Sequence, residues 1–117
     1  MMKAHPGLEE LVGREVSSVE FVRGYVQIRF DGPCLTAYTM PTIRTEFGEV
    51  LDPSSVGYAD ALVKFIGKTV EAAYQRDNAI ELRFAGGAGL TVSLRDTDRR
   101  VDEAATLTTD GKSIWSW

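Results

Sequence analysis

Val26-Gln27-Ile28-Arg29-Phe30-Asp31-Gly32 returns 54 positions later as Ile80-Glu81-Leu82-Arg83-Phe84-Ala85-Gly86. In each run apolar residues alternate with polar ones and a glycine follows. That period of two describes a strand with one buried and one wet face, running into a turn. Working outward, the likeness continues. Leu8-Leu11-Val12-Gly13-Arg14 answers upstream to Leu62-Phe65-Ile66-Gly67-Lys68, and Val16 to Val70. Downstream, with one residue inserted, Leu35-Thr36-Ala37 falls on Leu90-Thr91-Val92. Self-similarity at a fixed offset implies that one small unit occurs twice.

Each copy opens on a short helical pattern. In the first, Pro6 stands where a first-turn proline is tolerated, and Leu8, Leu11 and Val12 share a face. In the second, Asp52-Pro53-Ser54-Ser55 supplies start signals for a stripe of Ala59, Leu62, Val63 and Ile66. Gly13 and Gly67 then occupy the position after a helix where positive φ is expected. Arg23-Gly24 and Asp77-Asn78 read as turns before the quoted strands, the second pair tolerating left-handed angles. Asp31-Gly32 and Gly86-Gly87-Ala88-Gly89 read as turns after them. Leu35 to Met40 and Leu90 to Arg95 alternate again, completing a meander of about three strands in each copy. Ile43 to Val50, turning at Phe47-Gly48, and Thr106 to Trp115, turning at Asp110-Gly111, read as closing hairpins.

The expected fold is α+β: two pseudo-twofold-related helix–β-meander repeats, as an antiparallel twisted sheet or split barrel with short helices. A unit of ~50 residues cannot bury both its helix stripe and its sheet face alone, so the copies share one core. Residues 1–117 therefore form one domain, with repeat one at about 6–50 and repeat two at about 54–117.

Composition excludes several classes. A net charge of −4 over 117 residues, with dispersed arginines, argues against nucleic-acid binding, which rests on a basic face. No apolar run approaches the ~20 residues of a spanning helix, and the N-terminus carries no secretory pattern, so no membrane partner and a cytoplasmic location are expected. One cysteine, Cys34, rules out an intramolecular disulfide. With His5 the one histidine, no zinc set and no Cys–His nucleophile signature can be assembled. Asp96, Asp98, Asp102 and Glu103 lack the ligand periodicity of a calcium loop. The glycines at 86, 87 and 89 lead into a strand, not into the helix N-terminus that a phosphate cradle needs. No catalytic residue, cofactor or metal is expected.

What remains are contact residues. Arg29 and Arg83 hold equivalent places on outward strand faces, where symmetry mates would clamp an anion or an acidic partner. Trp115 and Trp117, at the end of the last strand, divide between core packing and a contact surface.

The Leu11-Val12-Gly13-Arg14-Glu15-Val16 entry, its counterpart ending Ile66-Gly67-Lys68-Thr69-Val70, and the Ile28/Leu82-Arg-Phe-Asp/Ala-Gly strand-turn resemble a group of small uncharacterised bacterial two-repeat α+β proteins. Some members of such groups are similar to toxin-immunity proteins, which bind and block a cognate toxin. The favoured expectation is a non-enzymatic protein-binding domain, an immunity-type antagonist or adaptor, and such a domain predicts an exposed patch with an aromatic such as Trp117, Tyr38 or Phe47 rimmed by charge. The alternative expectation is a small-molecule, anionic-ligand domain with a pocket between the repeats. A C-terminal edge strand also leaves room for a homodimer.

Overall fold

A computed structural model of the chain describes residues 3–4, 6–109 and 112–117. The first half runs through β1 (Lys3–Ala4), α1 (Pro6–Glu9), β2 (Ser18–Val22), β3 (Tyr25–Arg29), β4 (Cys34–Ala37), β5 (Thr42–Arg44) and β6 (Val50–Leu51). The second half follows with α2 (Tyr58–Val63), β7 (Val70–Arg76), β8 (Ala79–Phe84), β9 (Gly89–Ser93), a 3-10 turn at Asp96–Asp98, β10 (Ala105–Thr109) and β11 (Lys112–Ser116). Short helices and antiparallel strands make this a small β-rich α+β fold.

The strands are parted between two sheets. One has the order β1-β7-β8-β9-β5-β6, the other β11-β10-β4-β3-β2. Neither meander therefore keeps the hairpin that follows it in sequence. β5–β6 extends the later meander, pairing Ile43 with Leu90, while β10–β11 extends the earlier one, pairing Leu107 with Leu35. The expected turn at Phe47-Gly48 forms, with Thr45 N–H donating to Glu49 O at 2.8 Å and Gly48 N–H to Thr45 O at 2.9 Å. Asp110 and Gly111, the turn expected in the other hairpin, lie outside the described residues.

Alternation explains the two layers. On one sheet the inward row is Val19, Ile28, Leu35 and Leu107; on the other it is Ala73, Leu82, Leu90, Ile43 and Leu51. Both rows belong to one apolar cluster. Each sheet has one apolar face, and the shortest way to remove both from water is to press them together. Each fully buried leucine or isoleucine contributes roughly 1.5–3 kcal/mol. Phe65, just past α2, meets Phe84 edge-on, with ring centroids 4.9 Å apart and planes at 76°. That contact fixes the helical segment to the six-stranded sheet.

The glycine passages join the halves. Gly13 and Gly67 have φ of 87° and 90°, the left-handed region that side chains with a Cβ avoid. Gly13 N–H donates to Val70 O and Gly67 N–H to Val16 O, each at 2.8 Å. Val16 N–H donates to Lys68 O at 3.0 Å and Val70 N–H to Arg14 O at 2.9 Å. The 54-residue offset interchanges the two members of each pair of bonds.

Several local expectations need correction. Asp52-Pro53-Ser54-Ser55 does not start α2 but makes its own turn, with Ser54 N–H donating to Asp52 Oδ1 at 2.8 Å. The helix begins after Gly57 and buries Tyr58 and Leu62, with Phe65 buried just past its end; Ala59, Val63 and Ile66 are exposed. In the first half of the chain Leu8 and Leu11 are buried, but Val12 is exposed. Asp77 and Asn78 close their hairpin without left-handed angles; among the described non-glycine residues only Asp31 has positive φ, at 56°.

Candidate functional site

Arg29 and Arg83 do not form a clamp. They stand on the outer faces of different sheets, with the shared core between those sheets. Their surroundings differ as well. Arg29 spends a guanidinium nitrogen on Glu20 Oε1 at 3.3 Å and Gln27 Oε1 at 3.2 Å. Arg83 instead lies over the ring of Tyr74, 5.8 Å from its centroid, with no ion pair among the described residues. The tryptophans also part company. Trp117 is half-buried against the core and donates its indole N–H to Gln75 Oε1 at 3.0 Å, tying the end of the chain to β7. Trp115 covers Gly7 so closely that a Cβ there would overlap its indole, yet it keeps 39 % of its surface exposed.

Two concave surfaces flank the turn between β8 and β9. The first is a groove of about 330 Å³ between the β5–β6 hairpin and α2. Leu51, Ala61 and Phe65 supply its apolar lining, and Phe47 and Val56 stand on it 89 % and 99 % exposed. Glu49, Asp60 and Lys64 add charge. Lys68, also on the groove, pairs with Glu46 at 3.2 Å and links the helix-to-strand passage to the hairpin.

Two polar contacts anchor the passage from β6 into α2 beside this groove. Hydrogen bonds from the Ser54 hydroxyl, and then from its backbone N–H, hold the Asp52 carboxyl below its ordinary range. Tyr58 is buried and donates its hydroxyl to Pro41 O at 2.5 Å. Burial, with a smaller contribution from the Asp52 charge, pushes the Tyr58 phenol well above its ordinary value near 10. The folded state thus holds the proton more tightly than the unfolded chain. The stability tied to that proton is present below pH ~10 and declines as pH climbs from there toward the folded value. Tyr58→Phe is expected to cost about 1 kcal/mol at neutral pH through the lost hydrogen bond. Between pH 10 and 11 the gap between wild type and variant will narrow, because only the wild type has this phenol to ionise. Urea unfolding at pH 7, 10 and 11 checks both parts, and a gap that stays constant contradicts the second.

The second surface is a cavity of about 480 Å³ on the outer face of the six-stranded sheet. Register places Arg83, Gly89 and Arg44 side by side on three neighbouring strands. Tyr74, Glu81 and Thr91 form the next row, and Arg76 meets Glu81 at 2.7 Å. Arg44 and Val56 carry no motif that singles them out in the sequence. Arg44 becomes visible only once β5 is known to pair with β9.

The remaining candidates have structural employment. Cys34 is buried, its thiol 4.0 Å from Thr36 Oγ1, and His5 lies outside the described residues. Asp98 accepts from the Ser93 hydroxyl at 2.6 Å and Asp96 lies 3.6 Å from Arg99, so that acidic loop closes on its own neighbours. Among the described residues no three His, Cys, Asp or Glu side chains gather as a metal site would need, and no helix is long and apolar enough to cross a membrane. Comparison with protein-family models, with curated proteins and with solved structures finds no match.

Proposed function

We propose that the chain is a non-enzymatic protein-binding domain, of the adaptor or immunity-type antagonist kind, whose contact surface is the groove beside Phe47. The observation that carries this is the pairing of Phe47 and Val56, 89 % and 99 % exposed, on one concave surface with an apolar lining. Leaving a phenylalanine in water forgoes roughly 1.5–3 kcal/mol that association would recover. A partner that seats an apolar side chain against Leu51 and Phe65 covers Phe47 and Val56 together. Its donor groups then reach Glu49 and Asp60, neither of which has an ion pair among the described residues. Such an apolar centre with a charged rim is how protein interfaces are built.

The two-copy organisation belongs to the same reading. The reciprocal bonds at Gly13 and Gly67, and the reciprocal exchange of hairpins, support a pseudo-twofold relation between a first and a second helix–meander unit. Phe47 tips one exchanged hairpin, whereas the sequence puts Asp110-Gly111 at the corresponding place in the other. The copies have thus diverged where the contact surface lies.

Tagged wild type and Phe47→Asp/Val56→Asp, captured from the protein's own cells, test the reading. One stoichiometric partner is expected with wild type at moderate salt. The variant should lose it, since truncated hot spots cost about 2 kcal/mol or more each, roughly thirtyfold in affinity. Both proteins should melt alike, because both positions are solvent-exposed. No partner, or equal retention by the two, overturns it.

A further inference from the structure

We infer that the cavity on the outer face of the six-stranded sheet is a binding site for a small hydroxylated oxyanion, of the class of a polyol phosphate monoester, held between Arg44 and Arg83. The proposal does not depend on the Phe47 groove. Strands lie 4.7–4.9 Å apart, so the backbones of these two arginines are roughly 10 Å apart with a glycine between them. No side chain at position 89 separates their guanidinium groups, and both can close over one bound group.

Three observations set this face apart from an ordinary charged sheet surface. First, neither arginine has an ion pair among the described residues, while Arg76 beside them is committed to Glu81 at 2.7 Å. Second, Arg83 is held without spending its donors. The guanidinium carbon lies 5.8 Å from the centroid of the Tyr74 ring, a cation–π contact that takes up no oxygen acceptor and leaves N–H donors for the paired bonds that oxyanions accept. Arg29, its counterpart by offset, is paired with Glu20 and gives one guanidinium nitrogen to Glu20 and Gln27, and Thr108 stands in its row where Arg44 would be. Third, Tyr74 is only 9 % exposed, lines the cavity, and has a buried hydroxyl with no hydrogen-bond partner among the described residues. A ligand oxygen drawn in by Arg83 supplies the acceptor which that hydroxyl lacks.

The acids on the cavity decide the rest of the ligand. Glu71 also lines it and repels a second anionic group, but its carboxylate accepts hydrogen bonds from hydroxyls. One oxyanion at the arginines and hydroxyls toward Glu71 describe a phosphorylated polyol. The 480 Å³ volume lies in the range of small-molecule sites.

The test is a ¹H–¹⁵N NMR titration at constant ionic strength, with glucose 6-phosphate and inorganic phosphate as probes. Saturable shifts of the Gly89 amide and the Arg83 side-chain N–H are expected, with the sugar phosphate binding about tenfold more tightly than phosphate. Arg44→Ala and Arg83→Ala should each weaken it about tenfold or more, whereas Arg29→Ala leaves it unchanged. Unchanged spectral dispersion establishes that each variant is folded. No saturable shift up to ~20 mM of either probe, far weaker than a millimolar site, overturns the proposal. Shifts that persist in Arg44→Ala/Arg83→Ala overturn it equally, and equal affinity for the two probes overturns the assignment of a polyol.

Discussion

Phe84→Ala will destabilise the domain by about 3–5 kcal/mol, the range for emptying a fully buried aromatic site. Phe84 is completely buried and meets Phe65 edge-to-face, so alanine removes a core side chain and the aromatic contact that seats α2. A domain of this size is stable by about 5–15 kcal/mol, so the variant loses a large share of its margin. The groove beside Phe47 should loosen with it, because Phe65 lines that groove. Urea unfolding of the two proteins gives the difference directly. A loss below about 1 kcal/mol would contradict the packing described for the six-stranded sheet.

The exchange of hairpins makes a second large prediction. Ile43 and Leu90 face each other across β5 and β9, though one belongs to the first half of the chain and the other to the second. Ile43→Ala and Leu90→Ala should each cost about 2–5 kcal/mol. Because they share one packing site, the double variant will depart from the sum by about 0.5–3 kcal/mol. Leu107 and Leu35, paired across β10 and β4, should couple in the same way. Ile43 and Leu35 would be neighbours if each hairpin stayed with its own meander. Their coupling should be the smaller. A cycle in which Ile43 couples to Leu35 more strongly than to Leu90 would contradict the strand order.

The meanders were legible because period-two alternation is local: Val26, Ile28 and Phe30, like Ile80, Leu82 and Phe84, are buried as their spacing implies. The turn at Phe47-Gly48 was legible for the same reason. Pairing between distant strands has no such signature, and nothing around Ile43 says that its partner is Leu90, not Leu35. The 54-residue offset between Arg29 and Arg83 could be read from the sequence, but the two-layer packing that separates them could not. The stripe of α2 is not legible in the sequence, because Asp52 and Ser54 bond to each other instead of capping the helix. Tyr58 then enters the core, its hydroxyl satisfied by Pro41 O, and the buried face shifts to Tyr58, Leu62 and Phe65. Phe47 is legible as an exposed aromatic, while Val56 and Arg44 gain meaning only from their neighbours in space.

The most direct test of the proposed contact surface is site-specific photo-cross-linking in the cell. A photoreactive phenylalanine analogue replaces Phe47 in one protein and Arg23, on the β2–β3 turn of the other sheet, in a second. Position 47 should give one discrete heavier adduct containing a second protein, and position 23 should give none. Equal labelling from both positions, or no adduct from position 47 while the protein remains folded, would contradict the groove as the site where this domain meets its partner.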